Sequence, residues 1–139
     1  MHAFRFAALI VVSTSAITRI ALAEGPTMNL GKWDVKTVST NSLSPKETVK
    51  TATECVKENK NPLDAIIEAG KCKVTKQETK GHTVTWEMEC GDTPAAKGKG
   101  SFSANGDSGE GVLEMTMQIQ DRPMTAKNVW TGKRVGACD

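Results

Sequence analysis

The chain has 139 residues, with 18 Lys and Arg against 16 Asp and Glu and only three Trp, three Phe and no Tyr. Both Arg5 and Arg19 lie in an N-terminal segment that reads as removable, so the remainder carries 16 charges of each sign. A neutral chain of mixed charge gives no support for nucleic-acid binding through a basic face, and one domain is all that this length allows.

That N-terminal segment has the pattern of a secretory signal. Arg5 supplies the charge, Phe6 to Val12 the apolar stretch, and Ala21-Leu22-Ala23 a small-residue cleavage site. Cleavage after Ala23 is expected, leaving Glu24 to Asp139 as a single β-rich domain. No later apolar run approaches the ~20 residues of a spanning helix, so no transmembrane segment is expected after cleavage. The expected location is periplasmic or secreted. Cys55, Cys72, Cys90 and Cys138 all follow the signal. An even cysteine count in a small exported domain points to two disulfides.

From Trp33 onward the chain reads as short strands. Trp33, Val35 and Thr37 alternate with Asp34, Lys36 and Val38. A loop is expected over 41–46, then a Thr- and Val-rich strand from Thr48 to Val56. Pro62 to Ala69 differs, because Leu63, Ile66 and Ile67 stand at helical spacing between Pro62 and Gly70. Cys72 to Thr79 returns to strand. His82 to Cys90 is the clearest case of period two, with Val84, Trp86, Met88 and Cys90 on one face. A second loop is expected over 91–100, with Lys97-Gly98-Lys99-Gly100 solvated, followed by a short strand from Ser101 to Ala104. Asn105-Gly106 signals a hairpin. Leu113, Met115, Met117 and Ile119 share a face of the next strand. Arg122-Pro123 reads as a turn, and Met124, Ala126, Asn128 and Trp130 line the last strand. The fold class expected is mainly β: an antiparallel meander or small barrel-like sheet with one short helix and two disulfides.

Four cysteines allow three pairings. The expected one is Cys55–Cys72 with Cys90–Cys138. The first bridge would clamp the helical excursion to the sheet, and the second would pin the C-terminus.

Several local patterns together resemble one family. Gly31-Lys32-Trp33 opens the first strand, Thr53-Glu54-Cys55 and Gly70-Lys71-Cys72 flank the helix, and Thr83 to Cys90 reads T-V-T-W-E-M-E-C. The chain ends Gly132-Lys133-Arg134-Val135-Gly136-Ala137-Cys138. This resembles the bacterial exported family known as domain of unknown function 3617. Ala137 stands where that family often has Asp. The resemblance implies an exported β-rich domain and no established activity, so it transfers no catalytic residue. A looser likeness to lipocalins rests on Gly31-Lys32-Trp33 with Arg134 packed over the Trp.

No acid, base and nucleophile set is legible, and the chain is expected not to be an enzyme. Gly106-Asp107-Ser108-Gly109 matches the G-D-S-G of chymotrypsin-like proteases, but His82 is the only histidine after the signal and sits in a turn, so turn chemistry accounts for it. The same lone histidine and the absence of C-x-x-C leave no pattern for a structural zinc site or a thioredoxin-like redox site. No cofactor and no metal are expected. The apolar inner face is the richest feature. Trp33, Trp86, Met88, Met115, Met117, Met124 and Trp130 either line an apolar pocket or fill a plain core, since methionine suits both. The expected function is a small-molecule or lipophile binding module. The alternative is an accessory or inhibitory protein acting through its surface on another exported protein, by an edge strand or the 91–100 loop.

Overall fold

The computed structural model describes residues 25–91 and 95–139. The expected export signal, with cleavage after Ala23, lies outside the described residues. Eight strands and one helix follow in order: β1 (Thr27–Met28), β2 (Gly31–Asn41), β3 (Ser44–Val56), α1 (Pro62–Ala69), β4 (Cys72–Lys80), β5 (Thr83–Cys90), β6 (Ala96–Gly106), β7 (Ser108–Ile119) and β8 (Arg122–Gly136). No helix among the described residues is long and apolar enough to cross a membrane.

The strands form one sheet in the order β3-β2-β8-β7-β6-β5-β4, with β1 added in parallel to the end of β6. All other pairings are antiparallel. Strands β4 to β8 make a meander, and β8 then lies beside β2 instead of at an edge. The two ends of this order, β3 and β4, are not paired with each other, so the sheet is open. Both edges carry charge, and β3 also carries Pro45. Such residues discourage further strand pairing.

The register assigns the faces, because directly opposed residues point the same way. Val84, Trp86 and Met88 of β5 stand opposite Phe102, Gly100 and Gly98 of β6, which stand opposite Gly111, Leu113 and Met115 of β7. Next come Trp130, Asn128 and Ala126 of β8, then Thr37, Ser39 and Asn41 of β2. Leu63 of α1 is buried against this face with Val84, Trp86, Met88, Phe102 and Ala104, while Ile66 and Met115 pack at the margin. The opposite face is charged and solvated. Lys76, Glu87, Lys99, Glu114 and Lys127 succeed one another across five strands in register. Three neighbouring ion pairs follow, Lys76–Glu87 at 3.8 Å, Lys97–Glu89 at 3.8 Å and Lys99–Glu114 at 3.2 Å. Exposed pairs of this kind contribute little each; their effect is to set register and keep the face wet.

Several expectations need correction. Residues 96–100 are not loop but the first half of β6, in the middle of the sheet. Gly98 and Gly100 lie beneath the side chains of Met88 and Trp86, and Lys97 and Lys99 point the other way into the charged rows. Similarly the loop at 41–46 shrinks to Ser42-Leu43. The β7–β8 turn is Gln120-Asp121, both with positive φ (49° and 63°), so Arg122 and Pro123 already belong to β8. Two positive-φ residues make the hairpin turn that matches strand twist.

The disulfide pairing is also different. The bonds are Cys55–Cys138 and Cys72–Cys90. Cys72 and Cys90 are directly opposed in the β4–β5 register, with Cα atoms 4.0 Å apart. Cys55 lies opposite Lys32 of β2, which lies opposite Gly136 of β8, two residues before Cys138. The expected Cys55–Cys72 bond would have to join the two opposite edges of the sheet. Insertion of β8 beside β2 is what carries Cys138 to Cys55.

Candidate functional site

The site begins with a helix that the local sequence specifies well. The Asn61 side chain accepts hydrogen bonds from the Leu63 and Asp64 amides at 2.9 and 3.2 Å, and the Asp64 carboxylate takes the Asn61 amide at 3.0 Å. This reciprocal cap satisfies donors that would otherwise be orphaned. Pro62 suits the first turn, and Gly70 ends the helix in the left-handed region at φ 67°. The Met28 amide donates to Asn59 Oδ1 at 3.0 Å, which ties the approach to α1 to the β1 corner.

Between α1 and the sheet lies an apolar cavity of about 330 Å³. Its floor is Trp33 and Val35 of β2, Phe102 of β6, Gly109 of β7, and Trp130 and Gly132 of β8. Its roof is Pro62 and Ala65, and Met28 and Val56 close one end. Glu54, Lys60, Asn61 and Glu110 border it. Gly109 and Gly132 are directly opposed in register. Two adjacent floor positions without side chains leave the space, while Trp33 and Trp130 wall it. The volume lies at the lower end of the range for small-ligand sites. Depressions elsewhere include polar ones on the outer face, between the ion pairs of Lys76, Glu87, Lys99 and Glu114.

Trp33 is fixed from several sides. It is fully buried, and its indole N–H donates to the Asn29 carbonyl at 2.9 Å. Arg134 lies opposite it in the β2–β8 register, and the guanidinium covers Gly31, where a Cβ would stand 2.7 Å from Arg134 Nε. Gly31 has φ 140°, so a larger residue there is strained as well as crowded. Arg134 Nε donates to the Leu30 carbonyl at 2.7 Å. The Trp33, Gly31 and Arg134 cluster thus locks the end of the sheet where the cavity closes.

All seven apolar residues singled out in the sequence occupy the inner face by register. Trp33 and Trp130 line the cavity. Trp86 and Met88 are buried in the core beneath Leu63, with Met115 packed beside them. Met117 and Met124 oppose each other at the far end of β7 and β8, half-buried. Met28, Val35, Val56, Pro62, Ala65 and Phe102 also line the cavity, and no sequence pattern marks them, because nothing local shows that the helix roofs this part of the sheet. The available signal was the small-residue alternation of Gly109, Gly111 and Gly132 beside a tryptophan strand.

Lys60 is the one lysine at the rim. Its ammonium lies 3.0 Å from Glu68 and 3.2 Å from Glu58. The hydrogen bond to Glu68, followed by that to Glu58, holds its pKa above the ordinary lysine value. Within Gly106-Asp107-Ser108-Gly109, Asp107 connects β6 to β7, Ser108 and Gly109 belong to β7, and Ser108 is exposed.

A family model described as protein of unknown function (DUF3617) matches residues 28–138, and the chain belongs to that family. No curated protein and no solved structure matches the chain.

Proposed function

We propose that this member of the family is a non-enzymatic binding module of an exported compartment, which holds a small apolar ligand beneath α1. The observation that carries the reading is the cavity itself. It is walled by Trp33, Trp130 and Phe102, floored by Gly109 and Gly132, and roofed by a short helix. Gly109 and Gly132 bring no side chain into that space, and interiors are normally packed without such gaps. The two disulfides support the exported compartment, because such bonds persist where the medium is oxidising. They also hold the helix's exit and the chain terminus, which suits a small domain carrying an internal space.

The test is binding of a neutral apolar fluorophore, N-phenylnaphthylamine, followed by energy transfer from tryptophan. Saturable binding is expected. Ala65→Phe fills the cavity from the exposed side of the roof and should abolish the signal without lowering the melting temperature. Unchanged binding in that variant would reject the site. Native mass spectrometry of protein purified from its own host would then show whether a small molecule is retained.

A further inference from the structure

We infer that the ligand is a cationic amphiphile, with an apolar body in the cavity beneath α1 and an amine or quaternary ammonium head at Glu54. The inference rests on the binding reading above and adds the sign of the head group. Three charged residues border the cavity. Glu110 is opposed to Ser103 and Thr131, on the face of the sheet away from the cavity, so its backbone forms the border. Lys60 is already flanked by Glu58 and Glu68. Glu54 is different. It stands on the inner face of β3, directly opposite Trp33, and forms no ion pair among the described residues.

A head group entering here meets the Glu54 carboxylate. A cation gains by charge attraction. An anion meets Glu54, while the rim lysine is already matched by two carboxylates and Arg134, across Trp33 on the same face, is held at the Leu30 carbonyl and beside Asp107. A neutral polar head gains nothing from the charge. The mouth therefore sorts amphiphiles of equal apolar body by head-group sign.

The experiment compares dodecyltrimethylammonium, dodecanoate and dodecanol, each below its aggregation threshold, by tryptophan fluorescence at low salt. The ammonium compound should bind about fivefold more tightly than dodecanoate, from one exposed charge contact. The advantage should shrink as salt is raised. Glu54→Lys should invert the preference, with about fivefold weaker binding of the cation and about fivefold tighter binding of dodecanoate. If that variant does not fold, Glu54→Gln must remove the preference without inverting it. Dodecanoate binding as tightly as the cation, or an unaltered preference in the Glu54 variants, overturns the inference and leaves the cavity reading intact. Failure of all three compounds to bind overturns both.

Discussion

Gly100 lies directly beneath the indole of Trp86, so close that a methyl group at that position would occupy the space of the ring. The two residues are opposed in the β5–β6 register, and Trp86 is almost fully buried. The same arrangement recurs at Gly111 and Trp130. Each tryptophan lies flat because its neighbour has no side chain. Gly100→Ala should therefore destabilise the protein by about 1–3 kcal/mol, the usual cost of overpacking. Gly136→Ala meets no atom within 4 Å and should stay within about 0.5 kcal/mol of wild type. Urea denaturation of the two variants checks the contrast, and equal midpoints would contradict it.

The two disulfides should differ in what they contribute. Cys55–Cys138 closes a separation of 83 residues and Cys72–Cys90 one of 18. Loop entropy assigns about 4.5 kcal/mol to the first and about 3 to the second. The long bridge also holds β8 and β3 to the same end of β2, so its loss frees the C-terminus beside Arg134. The Cys55→Ala, Cys138→Ala double variant should melt below the Cys72→Ala, Cys90→Ala variant. Non-reducing peptide mapping should first recover both bonds, and a Cys55–Cys72 peptide would contradict the fold.

Much of the fold is written locally. Thr83 to Cys90 shows its two faces by period two, and the burial of Val84, Trp86 and Met88 follows that pattern. Pro62 to Ala69 begins and ends at its punctuating residues. Where the sequence misleads, glycine is the cause. Lys97-Gly98-Lys99-Gly100 reads as loop because glycine usually breaks elements, but here it makes room for Met88 and Trp86. Gln120-Asp121 turns the chain without any of the usual turn glycine, so Arg122-Pro123 reads as the turn instead. The disulfides and the cavity depend on β8 lying beside β2 and on α1 crossing the inner face. Both are relations between distant segments, and no local pattern encodes them.

Asn61 should matter beyond its size. Its side chain caps α1 through two amides, and the helix roofs the cavity. Asn61→Ala should cost about 1 kcal/mol. Because few contacts hold a two-turn helix, the loss should appear first as faster hydrogen exchange in residues 62–69, with β5 and β6 unchanged. Uniform exchange across the sheet would mean that the helix does not open separately.

Lys60 gives a prediction for titration. Its hydrogen bonds to Glu68 and Glu58 raise its pKa. A group whose pKa is higher in the folded state adds stability below its unfolded value and loses it as pH rises through the folded value. Any contribution from Lys60 therefore fades only in strongly alkaline solution, and solvent keeps it small at so exposed a side chain. Nitrogen-detected NMR should find the Lys60 midpoint above the ordinary lysine value, and Glu68→Gln should bring it down. An unchanged midpoint in that variant would remove Glu68 as the main cause.

Trp33 offers the most severe test of the locked end of the sheet. Its side chain is fully buried, bonded to the Asn29 carbonyl, and covered near Gly31 by Arg134. Trp33→Ala should cost about 3–5 kcal/mol, a large share of the roughly 5–15 kcal/mol of a typical domain. Little folded protein should remain at moderate temperature. Trp33→Phe keeps most of the packing and leaves the Asn29 carbonyl without its donor, at a cost of about 1–3 kcal/mol. That variant should fold, melt lower, and hold N-phenylnaphthylamine more weakly because one cavity wall has shrunk. A Trp33→Ala protein melting within a few degrees of wild type would show that the residue is not the anchor of this end.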